Sequence, residues 1–592
     1  MVMALPNTNT KTTAVSPVLR IRIWYGFLLV IVAIFVIRLF YVQVIRYDHY
    51  KNAALSDQLK QYQIPASRGI ISAHDGNSTV PIVLNEQLYT LYADPTFIKH
   101  PDTVAIKLAS IIGGKAQDYS KLLSYKQTKY VVLAKKITGA QQAKVLALKY
   151  PGVGAQIQNY RTYPQGALAA QELGFVSDGG KGEYGLEQAL NKSLSGTPGQ
   201  LKAITDISGV PLAASKENTS VAPQNGDDLT LTLDLAMQQQ LETILQAGAT
   251  KTKTAKASAL ILDVNTGAVK AMANYPSFDP AKYYDVKDSN VFQNGAVADP
   301  IEPGSIMKAL TTAAALDQGV IKPGTTYYDP AHWLVDGFTI KNIEEDGGAG
   351  TKSLYDLLNL SLNTGATWEL MQMGGGELNS KARNAWHDYL TNHFMFGKPT
   401  GIEQGYESPG LVTGPNDTGS AINLTYAETS FGQAILTTPV QMAAALASVV
   451  NGGTYYQPRL VDAVTDSSGK TTPVAPKVVR AGSLKPSTGE ALIPMLQYSI
   501  DHHGAIPAFD QKRYTVGGKT GTAQLAVKGV YSEKEFNGTY LGFVGGSKIQ
   551  YAIVVYMQKP VVDYYAGTAA AQPVFVNLAH MLINNSYVTP KQ

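Results

Sequence analysis

The stretch Glu302-Pro303-Gly304-Ser305-Ile306-Met307-Lys308 puts a hydroxyl and an amine three positions apart at the start of an apolar run. Pro303 and Gly304 break the chain, and the run beyond them reads as a helix ending at Gly319. Residues three apart share a helix face, so Ser305 lies in the first turn with Lys308 one turn on. A serine hydroxyl is a weak nucleophile that needs a base beside it. A lysine is such a base when burial or nearby positive charge lowers its pKa, and a helix N-terminus supplies part of that field. The expected chemistry is nucleophilic catalysis by serine. The same spacing recurs at Ser467-Ser468-Gly469-Lys470, in a turn-rich stretch with no helix to orient it, so the tetrad alone is a weak signal.

Two other groups bear on the same chemistry. Ser361-Leu362-Asn363 offers a hydroxyl to relay a proton and an amide to orient a carbonyl and a lysine. Its plainer meaning is the end of a helix before Gly365. Gly517-Gly518-Lys519-Thr520-Gly521-Thr522 looks at first like a phosphate loop, but Arg513 stands where that pattern requires Gly, and strands follow. As a strand edge it offers Lys519 as a positive charge. Thr520 and Thr522 can grip a carboxylate, and Gly521 lets substrate backbone approach. Other chemistries find less support. The chain has 9 His but no His-Glu-x-x-His, and no Gly-x-Ser-x-Gly elbow. Asp501-His502-His503-Gly504 lacks a third ligand and reads as a polar turn. Cys is 0, which excludes disulfides, thiolate metal sites and a Cys nucleophile.

These groups need a frame. Ala259–Val264 and Ala268–Met272 read as a hairpin around Asn265-Thr266-Gly267. Helical stretches are expected at Ser305–Gln318, Ser353–Leu360 and Pro439–Val450. Strands are expected at Tyr514–Val516, Thr539–Val544 and Tyr551–Tyr556, and a closing helix from about Ala569 to Ile583. Strands, then helices, then strands and a helix indicate an α+β fold, an antiparallel sheet with helices on its faces. Upstream, Leu229–Leu233 alternates as a strand, and Asp234 can cap a helix from Leu235 to Ala247. Pro223–Asp227 reads as a linker. Ser67–Ile71 reads as a strand, and residues 95–150 carry helical patches at Val104–Ile112 and Gln141–Leu148. A short helix opens near Gly182–Glu187 and stops at Gly196.

The N-terminus sets the compartment. Ile23 to Ile45, read through Arg38, gives about 34 Å of helix, enough for a hydrocarbon core of about 30 Å. Arg38 then lies near one interface, where its stem can snorkel outward. Trp24, Tyr25, Tyr41 and Tyr47 fit aromatic belts. Lys11, Arg20 and Arg22 precede the span and no acid does, so residues 1–22 are expected inside and everything after about Ile45 outside. Phe40-Tyr41-Val42-Gln43 is no small-residue cleavage site, which favours an uncleaved anchor. Residues 46–64 read as a polar, helix-compatible stalk.

Composition agrees with a folded extracytoplasmic protein. Of 592 residues, 45% are hydrophobic and 16% charged, which excludes a disordered chain. The net charge of +4 is spread without a basic block, so no nucleic-acid partner is expected.

Taken in order, Ser305-x-x-Lys308, Ser361-x-Asn363 and Lys519-Thr520-Gly521 resemble the motif set of penicillin-recognising serine transferases. The resemblance extends to Leu262–Ala273 and Pro276–Pro280 before the tetrad, and to Phe431-Gly432-Gln433, Leu436–Ala443 and Asn451-Gly452-Gly453 between the second and third motifs. Arg68–Ile71 and Gly185-Leu186-Glu187 look like a non-catalytic domain. With the single anchor, nearly the whole chain is similar to class B penicillin-binding proteins. The departures are Gly295 where the family commonly has Arg, Ile306-Met307 for Thr-Phe, and His74-Asp75-Gly76 in place of Asp-Arg-x-Gly.

That resemblance implies a peptidoglycan DD-transpeptidase working without a cofactor, acylated by β-lactams, in cell elongation or in division. Ser305 would attack the penultimate D-Ala carbonyl of a stem peptide, with Lys308 as general base. Ser361 and Lys519 would pass the proton to the leaving amine, with Asn363 orienting and the N–H groups of Ser305 and Thr522 holding the oxyanion. It implies a cytoplasmic tail at 1–22, an anchor at 23–45, a mixed pedestal domain of the dimerisation type at 46–222, and a transpeptidase domain at 223–592. Class B members work beside a polytopic SEDS-type glycosyltransferase, which makes such a protein an expected partner. A class A β-lactamase would need Glu-x-x-Leu-Asn after the second motif, and Glu377-Leu378-Asn379 lacks that spacing. A drug sensor would need a cytoplasmic output domain, for which 22 residues are too few.

Overall fold

A computed structural model describes residues 17–51, 59–204, 219–342, 348–417, 419, 421–502, 509–527 and 530–592. The chain forms two compact units, residues 1–65 with 198–223, and residues 66–197 with 224–592.

In the first unit, an α-helix spans Pro17–Phe40 and runs on as a π-helical turn, Tyr41–Ile45. Among the described residues, one helix is long and apolar enough to cross a membrane, Val18–Ile45. The described helix includes residues ahead of the apolar run, and Pro17 suits an early helical position, where its missing N–H costs nothing. Arg20 and Arg22 therefore sit on the helix, while Lys11 lies outside the described residues. The Arg38 guanidinium lies 5.6 Å from the centroid of the Tyr41 ring. The expected helical stalk is corrected. Residues 47–51 are helical and Leu59–Ile64 is a strand paired antiparallel with Gly199–Ile204; residues 52–58 lie outside the described residues. That pairing joins segments far apart in sequence, which no local pattern announces.

The second unit is built on two sheets. One has seven strands. Its path runs Thr471–Pro473, Val461–Thr465, Asp228–Asp234, Ile71–Asp75, Ser78–Ala93 and Val131–Ile137, with Val153–Thr162 also pairing to Ser78–Ala93. Asp228–Asp234 runs parallel to Ile71–Asp75, so strands from both sides of residue 223 share this sheet. Its far half has its own core, with Leu91, Val104, Leu108, Leu123 and Val145. The strand expected at Ser67–Ile71 begins only at Ile71. The residues before it are pinned instead. Gly69 N donates to Leu194 O at 2.8 Å, and a Cβ on Gly69 would stand 1.8 Å from Asp227 O. Beside them, the fully buried Glu187 carboxylate accepts from Arg68 Nε at 2.6 Å and from Arg161 Nε at 2.8 Å.

The other sheet is five-stranded and antiparallel, in the order Val269–Tyr275, Lys256–Asp263, Ile549–Gln558, Val530–Gly545, Thr515–Val527. Side chains of a strand alternate between faces, and here both faces are covered. Ile261, Ile553 and Val555 enter one core with Leu241, Phe575 and Leu582. Leu260, Leu262 and Val554 enter the other with Leu310, Val440 and Ala443. Each such side chain contributes about 1.5–3 kcal/mol. The helix Leu235–Lys251 starts where Asp234 accepts from Met237 N at 2.9 Å, a cap contributing about 1 kcal/mol. The closing helix is Gln572–Asn584, preceded by a π-helical turn, Gly567–Ala571.

Candidate active site

Ser305 sits in a single 3-10 turn, Gly304–Ile306, that leads directly into the helix Met307–Gln318. That helix is buried almost all round, and Ala309, Ala313, Ala314 and Ala315 let its neighbours come close. Gly319 ends it at φ +78°, the left-handed conformation glycine tolerates. The turn itself is clamped. Gly304 N donates to Gly432 O at 2.9 Å, and Thr539 Oγ1 donates to Pro303 O at 2.8 Å. A Cβ on Gly432 would stand 2.0 Å from Gly304 O, and one on Gly521 would stand 2.2 Å from Thr539 Oγ1. Backbone packs on backbone here, which holds the hydroxyl in place.

Lys308 is fully buried. Its Nζ donates to Ser361 O at 2.5 Å, to Asn363 Oδ1 at 2.8 Å and to Ser361 Oγ at 3.2 Å. The plain helix-end reading of Ser361-Leu362-Asn363 is corrected. The helix Leu354–Asn359 ends before it, and Asn363 opens the next helix, Asn363–Met373. Ser361 joins the two at φ +59°, a left-handed conformation that costs a serine about 1–3 kcal/mol. In return, one residue presents both its carbonyl and its hydroxyl to Lys308. Asn363 Nδ2 donates to Lys341 O at 3.2 Å, which fixes the amide.

Lys519, Thr520, Gly521 and Thr522 lie on Thr515–Val527, the edge strand of the five-stranded sheet. Lys519 is 1% exposed, and its Nζ donates to Thr520 O at 3.1 Å and Thr520 Oγ1 at 3.3 Å. Thr522 Oγ1 accepts from Gly567 N at 3.1 Å. An edge strand keeps backbone groups available to an extended peptide.

A cleft of about 1070 Å³ brings Ser305, Ser361, Asn363 and Thr522 onto one surface, with Lys308, Lys519 and Thr520 buried. Phe338–Asn342, Pro560 and Val562–Ala566 supply other parts of its lining. Ser467 and Lys470 lie instead in the turn between Val461–Thr465 and Thr471–Pro473. His502 stacks on Tyr498 with ring centroids 3.9 Å apart, while His503 and Gly504 lie outside the described residues.

Two acids escaped the sequence reading. Glu428 lines the cleft, and burial together with the neighbouring Glu302 carboxylate pushes its pKa up to about 7. Glu369 lies fully buried on Asn363–Met373, where Thr312 Oγ1 donates to it at 3.1 Å. Burial pushes its pKa up to about 8, against the lowering effects of Thr312 and the Lys308 charge. Neither acid belongs to a spaced motif. The only signal for Glu428 was its closeness to Phe431-Gly432-Gln433.

Residues 257–580 match the family model of the penicillin binding protein transpeptidase domain, and residues 63–231 that of the penicillin-binding protein dimerisation domain. Stage V sporulation protein D of Bacillus subtilis is 28% identical, over 94% of this chain and 84% of its own length. Peptidoglycan D,D-transpeptidase FtsI of Escherichia coli is 25% identical, over 94% of this chain and 90% of its own. Among solved structures, a peptidoglycan synthetase from Bifidobacterium adolescentis has the same fold with a TM-score of 0.69. It is 24% identical, covering 90% of this chain and 98% of that one.

Proposed function

The chain belongs to the penicillin-binding protein transpeptidase family, and from that premise we propose how it works as a serine D,D-transpeptidase of peptidoglycan. The observation that supports the residue roles best is the pair of hydrogen bonds from Lys308 to Ser361 and Asn363, behind the surface that carries Ser305. Lys308 takes the Ser305 proton as Oγ attacks the penultimate D-Ala carbonyl of the donor stem peptide. The N–H groups of Ser305 and Thr522 receive the oxyanion, a contribution of several kcal/mol where water is excluded. Ser361 and Lys519 carry the proton to the departing D-Ala, with Asn363 holding Lys308 in line. Thr520 and Thr522 take the donor carboxylate, and Gly521 leaves room for its backbone. An amine of a neighbouring stem then takes the acyl group. β-Lactams acylate the same serine.

Intact-mass measurement after penicillin tests this. One long-lived adduct is expected, mapped to Ser305 and absent from Ser305→Ala. Rapid turnover of the adduct would favour a β-lactamase instead.

The anchor is taken to face residues 1–22 inward, with catalysis outside the cytoplasmic membrane, on the strength of Lys11, Arg20 and Arg22. An inactive periplasmic reporter fused after residue 60 would overturn that orientation. A SEDS-type glycosyltransferase is the proposed partner of the span. Replacing Ile23–Ile45 with an unrelated helix should then keep penicillin binding and weaken co-purification. Full retention of both would move the contact elsewhere. The functional division is placed at 46–222 for the pedestal and 223–592 for catalysis.

A further inference from the structure

We propose that Glu428 takes the proton from the cationic amine that accepts the acyl group, so one wall of the cleft is a docking point for an ammonium. This rests on Ser305 being the acylated residue. Glu428 lines the same cleft as Ser305, Ser361 and Asn363. It lies near the end of the helix Ile422–Ser430, and that end is fastened to the nucleophile's own segment. Thr311 Oγ1 donates to Ser430 O at 2.7 Å, and Gly304 N donates to Gly432 O at 2.9 Å. Ala434 N donates to Glu302 Oε1 at 2.9 Å, which ties the same loop to the residue before Pro303. The carboxyl is thus held on the frame that holds the serine. Glu302 is the neighbouring charge acting on it, while Lys341 and Asp563 are the other charged side chains of the lining. A group poised near neutrality suits a proton acceptor at neutral pH.

Proton accounting shows why the second half-reaction has use for it. A primary amine arrives as an ammonium. It must lose one proton to expose a lone pair, and a second as the C–N bond forms. Lys308 and Ser361 return one proton to Ser305 Oγ as the ester C–O bond breaks. The other lies outside that circuit. The Glu428 carboxylate accepts it, becomes the neutral acid, and releases it to water once the amide product leaves.

The test uses the full-length protein in detergent, a thioester donor ending in an acyl-D-alanyl analogue, and D-alanine as the amine probe. Aminolysis, hydrolysis and the rate of acylation by fluorescent penicillin are followed together. Glu428→Gln should lower aminolysis at least about tenfold more than acylation, with a raised KM for D-alanine. Glu428→Asp should recover part of the loss. Equal losses in aminolysis and acylation, or no loss in either, would overturn the proposal. So would a parallel fall of hydrolysis and aminolysis, since that assigns the carboxylate to water. Failure of the unaltered chain to acylate would sink the Ser305 reading itself, a result distinct from all of these.

Discussion

Glu187 and Glu428 are both acids on short helices, the first fully buried and the second half-buried at the cleft, and the charges around them differ in sign. Two guanidinium groups, from Arg68 and Arg161, close on Glu187. Another carboxylate, Glu302, stands near Glu428. Hydrogen bonds from two opposite charges turn the Glu187 carboxylate into a strut. Like charge, added to burial, brings its two states close in energy, which is what proton transfer requires. In the pedestal the buried acid is paired with two guanidiniums, whereas in the cleft a second carboxylate stands near Glu428.

The sharpest break should come in the cleft. Lys308→Ala is expected to slow acylation by fluorescent penicillin at least about 10²-fold, the low end for losing a positioned base. Urea unfolding of the same variant should show a much smaller proportional change. A loss of stability matching the loss of rate would make Lys308 a strut like Glu187.

Glu187→Ala tests the opposite side. It leaves two guanidinium groups facing a buried gap, and breaking such a pair costs about 3–5 kcal/mol. Denaturant midpoints should fall accordingly, while the folded fraction acylates at the unaltered rate. Slow acylation without lost stability would erase the contrast.

Glu369→Gln should act more weakly, and through pH. Burial raises the folded-state pKa to about 8 from the ordinary carboxyl value of 4.5. Between those values the folded chain binds a proton that the unfolded chain releases, so stability falls as pH rises. Gln cannot lose that proton. The melting temperature of the variant should therefore climb relative to the parent from pH 5 to pH 8, then level off. A difference independent of pH would place the charge elsewhere. The smallest effect belongs to Ser467→Ala, which should leave labelling unchanged within about twofold, since Ser467 lies in a turn outside the site.

What could be seen in the sequence was whatever a short stretch of chain decides. Ser305 and Lys308 share a face because a helix start and a three-residue interval are local facts. The five-stranded sheet was visible because its strands carry their own apolar runs. Ser361 was visible as a type but not as a conformation. Its left-handed backbone answers to Lys308, 53 positions away. Glu428 was invisible as a site residue because its partner Glu302 lies more than a hundred residues off. The strand Leu59–Ile64 was mistaken for helix-compatible stalk for the same reason, its partner being Gly199–Ile204.

The sharing of one sheet across residue 223 has a practical side. A fragment begun at Pro223 would keep every residue of the cleft described above, yet strip Asp228–Asp234 of its parallel neighbour Ile71–Asp75. The exposed row of N–H and C=O groups would become a template for any other strand in solution. Such a truncate should self-associate as its concentration rises, and its yield would report on a torn seam rather than on the catalyst. Expression begun ahead of Ile71 keeps the seam closed.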